Sequence, residues 1–134
     1  MILFNEMKVC FEIAEKKFEF LLRFGFSAPV RNSGGLWGSL SYRGNKITIR
    51  IEFELQQFFI FLTVCPVGKE NYQSIIHLID ILEKLDLDDD YQSKTRAFGG
   101  KIDKCGEFLD IYVLALQKNL DKIIDNSDLI FEGK

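Results

Sequence analysis

One histidine, two prolines, one tryptophan and three cysteines are spread over 134 residues. Each scarcity closes a route. Structural zinc needs four Cys or His ligands, usually in close pairs. The only candidates, Cys10, Cys65, His77 and Cys105, stand far apart and form no Cys-x-x-Cys unit. A Cys–His catalytic pair needs a thiol beside His77. Cys10 and Cys105 fall on apolar helical stripes and Cys65 ends an apolar run, where a thiol serves as a small core residue. Three distant cysteines do not read as a disulfide framework, so buried reduced thiols in a cytoplasmic setting are the expectation. No Gly-x-Ser-x-Gly nucleophile turn occurs. The sequence therefore predicts no enzyme activity, metal or cofactor.

Long apolar runs are missing too. Residues 55–68 form the longest uncharged apolar stretch, well short of the ~20 residues that a spanning helix needs. The start, MILFNEMKVC, is interrupted by Glu6 and Lys8 and lacks the basic leader of a signal peptide. Nor is there an excess of positive charge. Seventeen Lys and Arg against twenty Asp and Glu leave a net charge of −3, and the isoelectric point is about 5.2. Nucleic-acid binders usually displace phosphate counterions with a Lys/Arg surplus, so that partner class is disfavoured. Two glycine clusters suggest phosphate loops, but Gly34, Gly35 and Gly38 precede a strand pattern. Gly99-Gly100-Lys101 has no strand before it and no Ser or Thr after it.

What is present is core material. Apolar residues make up 47% of the chain, thirteen of them Phe. A chain of this length is one domain by default, residues 1–134, and can bury roughly two-thirds of its unfolded surface.

Periodicity orders the chain. In residues 5–24, Met7, Cys10, Phe11, Ala14, Phe18, Leu21 and Leu22 recur at three- and four-residue steps, a helical stripe stopped by Gly25. Residues 26–35 read as a loop. The period then drops to two. Residues 36–43 and 46–56 form a hairpin about a Gly44-Asn45 turn. In its second strand Ile47, Ile49, Ile51, Phe53 and Leu55 face one way; Lys46, Thr48, Arg50, Glu52, Glu54 and Gln56 face the other. One face is buried and one is wet. Residues 58–65 form a third strand, apolar on both faces and expected to be more enclosed. Residues 71–85 and 102–124 are two further helices, with His77 off the stripe of the first. The fold class is α+β: a three- to four-stranded antiparallel meander with helices packed on one face, in the order α-β-β-β-α-α.

Two acidic features remain. Glu52 and Glu54 share a strand face ~7 Å apart, a spacing open to acid/base work, but with Arg50 beside them they read as an ordinary solvated face. Glu83, Asp86, Asp88, Asp89 and Asp90 form an acidic run without the residue order of a calcium loop. It is either a solvated connector or a docking patch for a basic partner. Trp37 is equally fit for the core or for an interface.

Three stretches carry a family resemblance: FEFLLRFGF (residues 18–26), SLSYRGNKITIRIEFE (39–54) and IYVLALQKNLDKIIDNSDLIF (111–131). Together with the layout they resemble the small α+β immunity proteins of bacterial contact-dependent growth inhibition and other polymorphic toxin systems. The resemblance implies a non-enzymatic protein that binds a cognate toxin domain, often a nuclease, and blocks its active site. Such proteins are frequently acidic because they mask a basic surface. On this reading the partner is a toxin protein, not nucleic acid or membrane, and the acidic run is the candidate contact. The alternative is a small-ligand-binding or regulatory domain, or an enzyme whose site is a cleft between helices and sheet.

Overall fold

A computed structural model describes residues 2–69, 75–87, 94–95 and 98–132, with side chains from Glu6 onward. The class is α+β. Five antiparallel strands lie in chain order, β1 (Val30–Gly34), β2 (Trp37–Arg43), β3 (Ile47–Glu54), β4 (Phe59–Pro66) and β5 (Ile76–His77), as an unbroken meander. Before the sheet come α1 (Ile2–Lys17) and the short α2 (Phe20–Arg23). After it come α3 (Leu78–Lys84), a 3-10 turn (Ile102–Lys104), α4 (Cys105–Asp125) and α5 (Ser127–Ile130).

The alternation in β3 sets the layers. Ile47, Ile49, Ile51 and Phe53 are all buried and join one apolar cluster with the helical stripes. Met7, Cys10, Phe11 and Ala14 come from α1, and Phe108, Leu109, Leu116, Leu120 and Ile123 from α4. From α3 come Leu78, Ile81 and Leu82, while Ile130 and Phe131 close the bottom. Gly38 in β2 lets α1 lie against bare backbone, because a Cβ there would stand 2.5 Å from Met7 Sδ and 3.0 Å from Phe11.

Several expectations need correction. The first helix is not continuous to residue 24. It breaks after Lys17 and tightens to three-residue hydrogen bonds such as Leu21 N–H to Phe18 O. Gly25 then stops it at φ 90°. Residues 30–34, read as loop, are the edge strand β1. Every residue of β1 is exposed, so no apolar alternation announced it. It is held by backbone pairing to β2 and by Arg31, which forks onto both Glu15 oxygens at 2.6 Å and covers the Phe11 ring. That guanidinium holds the Glu15 carboxyl below its ordinary pKa.

The hairpin turn sits one residue later than expected. Gly44 N–H bonds to Ile47 O, leaving Asn45 and Lys46 as the turn. Gly44 serves close approach instead, since a Cβ there would meet the buried Phe26 ring at 2.8 Å. The second predicted helix is shorter. Its residues 71–74 lie outside the described set, Ile76–His77 form β5, and helix begins only at Leu78. Among the described residues, two helical segments precede five strands and the remaining helices follow, which differs from α-β-β-β-α-α.

Two buried tyrosines on the core side contrast. Tyr112 Oη donates to Ile60 O at 2.7 Å, while Tyr42 Oη is buried with no hydrogen-bond partner. Burial raises the pKa of both hydroxyls.

Two stability predictions follow from this packing. Ile49→Ala should cost about 2–5 kcal/mol in urea unfolding, the range for truncating a core isoleucine; a loss below about 0.5 kcal/mol would reverse the face assignment. Tyr112→Phe should cost about 1–2 kcal/mol because it strands a buried carbonyl, whereas Tyr42→Phe should be neutral or stabilising. Equal losses for the two tyrosines would contradict the hydrogen-bond assignment.

Candidate functional site

The described helices cover one face of the sheet. The other face is built by strand register. Across it run the rows Trp37–Glu54–Phe59, Ser39–Glu52–Phe61 and Ser41–Arg50–Thr63–His77. Because side chains alternate along a strand, every residue in these rows points away from the core.

This face is aromatic. Trp37 is 38% exposed, and Phe59 and Phe61 are each 39% exposed. Phe59 and Phe61 stack with centroids 6.2 Å apart, and Phe61 meets the His77 ring edge-on at 5.8 Å. A ladder of three rings therefore lines β4 and β5, with Trp37 two strands away. The expectation that β4 is more enclosed than β3 holds at one end alone: Ile60, Leu62 and Val64 on the core side and Thr63 and Cys65 on the outer side are buried, but the outer Phe59 and Phe61 are not.

Between the rings lie charges with fixed geometry. Glu52 Oε1 accepts from Trp37 Nε1 at 3.3 Å, and Oε2 accepts from Thr63 Oγ1 at 3.0 Å. Those bonds lock the indole and the carboxylate together across β2, β3 and β4. Glu54 turns back on its own chain, accepting from the Gln56 and Gln57 N–H groups at 2.8 and 3.0 Å. It shapes the β3–β4 turn, where Phe58 takes a left-handed φ of 50° and drives its ring onto Phe108. The two carboxylates thus have separate positioning duties instead of forming an acid/base pair. Arg50, in the next row, has its Nε buried and without a hydrogen-bond partner.

The acidic run is only partly placed. Glu83 and Asp86 are exposed on and after α3; Asp88, Asp89 and Asp90 lie outside the described residues. Asp86 also has a local task. It adopts φ 56° just past the helix end, its N–H bonds to Glu83 O at 3.1 Å, and the Leu87 N–H bonds to Leu82 O at 2.8 Å. That pair of bonds is a Schellman stop, a position that favours glycine.

The cysteines hold the feature that spacing concealed. Cys10 of α1 and Cys105, the first residue of α4, meet with their sulfurs 3.6 Å apart. All three cysteines are free and buried. His77 is exposed on the opposite sheet face, with Phe61 as its ring neighbour. Among the described residues, no group of three or more His, Cys, Asp or Glu side chains is arranged to hold a metal ion. No described helix is long and apolar enough to cross a membrane. Only the aromatic content of the strands could have signalled the site in advance, through Trp37, Phe59 and Phe61 at outward positions.

No family model, curated protein or solved structure matches the chain.

The helix stop yields a check on Asp86. An L-residue in the left-handed region costs roughly 1–2 kcal/mol, less for Asp than for most. Asp86→Gly should therefore raise stability by about 0.5–1 kcal/mol in urea unfolding. Destabilisation would show that the carboxylate itself is needed there.

Proposed function

We propose that the protein is a binding module without chemistry of its own, which docks a protein partner on the exposed aromatic end of the outward sheet face. The observation that carries this reading is the exposed ring set Trp37, Phe59 and Phe61 around Arg50 and Glu52. Trp and Arg are enriched among residues that dominate binding energy, and aromatic rings among interface residues generally. These rings are pre-oriented by a rigid sheet and by the Glu52 hydrogen bonds, so little side-chain freedom is lost on docking.

The partner that the sequence resemblance favours is a toxin domain, which the protein neutralises by covering its active site. A net charge of −3 suits a basic partner of this kind. The acidic run Glu83, Asp86, Asp88, Asp89 and Asp90 then acts at longer range, raising the encounter rate and adding little to the bound state. Exposed rings on an open sheet also suit stacking with nucleic-acid bases. Glu52 and Glu54 in their midst, and the acidic chain as a whole, oppose a phosphate backbone.

The test is to examine the neighbouring genes for a toxin domain and to measure surface plasmon resonance against any such domain, with single-stranded RNA as a second analyte. Trp37→Ala and Phe61→Ala should each weaken toxin binding by about 2 kcal/mol or more, mainly through faster dissociation. Replacing Asp86, Asp88, Asp89 and Asp90 together by Asn should slow association about tenfold at low salt and less at 1 M, where the Debye length is ~3 Å. Unchanged affinity in both aromatic variants would remove the sheet face from the interface. Binding to RNA alone would replace the protein partner with a nucleic acid.

A further inference from the structure

A 430 Å³ cavity, mainly apolar, lies between α1 and the start of α4, and Cys10 and Cys105 are among the residues that line it. Val9, Ile13 and Ile102 form its apolar wall, and Glu6 and Asp103 are its acidic members. Val9 and Asp103 are exposed, so the cavity opens to solvent. The thiols themselves are almost wholly covered, at 1% and 4% exposure. Access to the pair is therefore narrow and comes from the cavity side.

We propose that Cys10 and Cys105 are a reversible redox pair, and that a small peroxide entering this cavity converts them to a disulfide that bolts α1 to α4. The sulfurs stand 3.6 Å apart and a disulfide bond is about 2.05 Å, so each sulfur moves by roughly 0.8 Å to close it. Both residues are seated on helices that already pack against each other. Neither Cys65, on the other face of the sheet, nor any other described residue competes for the pair.

The hydrogen bonding assigns the roles. Cys105 donates its S–H to the Cys10 sulfur, which lowers the pKa of Cys10 and raises that of Cys105. Burial opposes a charge on either sulfur, but the pair sits at the N-terminus of the 21-residue helix α4, where partial positive charge favours one thiolate. Cys10 is the attacking sulfur. Its thiolate takes one peroxide oxygen, the O–O bond breaks, and the other oxygen leaves as hydroxide, protonated to water. The resulting Cys10 sulfenic acid is then attacked by the Cys105 sulfur. The S–S bond forms, the S–O bond breaks, and the leaving hydroxide takes the Cys105 proton as a second water. Two thiols lose two electrons and one peroxide becomes two waters.

The cross-link spans 95 positions of chain, so it removes a large loop-closure entropy from the unfolded state. Its effect is a rise in thermal midpoint of roughly 5–10 °C. The experiment takes the full reduced chain through titration with hydrogen peroxide, followed by intact mass, thiol counting after denaturation and peptide mapping. The expected result is a mass loss of two hydrogens, disappearance of two thiols, a peptide joining Cys10 to Cys105, a higher thermal midpoint, and full reversal by dithiothreitol. In Cys105→Ala, Cys10 should stop as a sulfenic acid, read as a gain of one oxygen in intact mass and trapped by dimedone once the chain is denatured. The unmodified chain decides the matter even if that variant does not fold. Intermolecular cross-links, a bridge to Cys65, or Cys10 over-oxidised to sulfinic acid while Cys105 stays free would each overturn the proposal.

Discussion

Everything in this molecule hangs on the two-residue period of β3. A strand has two faces, and only one of them here is apolar from end to end. Ile47, Ile49, Ile51 and Phe53 must leave water together, and no other strand offers such an uninterrupted set. The helices gather on that side because it is the only continuous surface able to cover their own stripes. The opposite side of β3 carries Arg50, Glu52 and Glu54, which resist a second helical layer because burying unpaired charge is costly. One choice of residue period therefore yields both a core and a second, polar face whose aromatic end is exposed.

The parts of the fold legible in the sequence are those with dense periodic burial: α1, β3, β4's inner face and α4. Segments fixed by backbone geometry were not legible. β1 has five exposed residues and no alternation, so its strand identity rests on hydrogen bonds to β2 and on the Arg31–Glu15 fork, a contact between positions sixteen apart. β5 is two residues long and inherits its conformation from Thr63 and Val64. The hairpin between β2 and β3 misled because glycine serves two purposes. Gly44 looks like a turn residue, yet it is small so that Phe26 can reach the backbone, and the turn moves on to Asn45 and Lys46.

The candidate site was legible by half. The charged side of β3 was visible as a wet face, but its aromatic borders were not, because the apolar run of β4 does not say which of its residues lose contact with water. Phe59 and Phe61 differ from Ile60 and Leu62 only in parity, and parity acquires meaning only once β3 has fixed the register. The Cys10–Cys105 contact is harder still. Each cysteine reads as an ordinary member of an apolar stripe, and only the docking of α1 on α4 brings the two sulfurs together.

The open face is also selective about what can cover it. A purely apolar partner surface would bury Glu52 and Arg50 beside the rings. Glu52 tolerates this, because Trp37 and Thr63 already satisfy one lone pair on each oxygen. Arg50 Nε is already buried and unpartnered among the described residues of the free protein, so covering it adds no new cost at that atom. The lone pairs of Glu52 that Trp37 and Thr63 leave open are a different matter, because a partner that brings a hydrogen-bond donor to them gains a charge-assisted bond. The rings supply affinity for many surfaces, and the carboxylate held among them favours a surface that carries a donor or a positive charge.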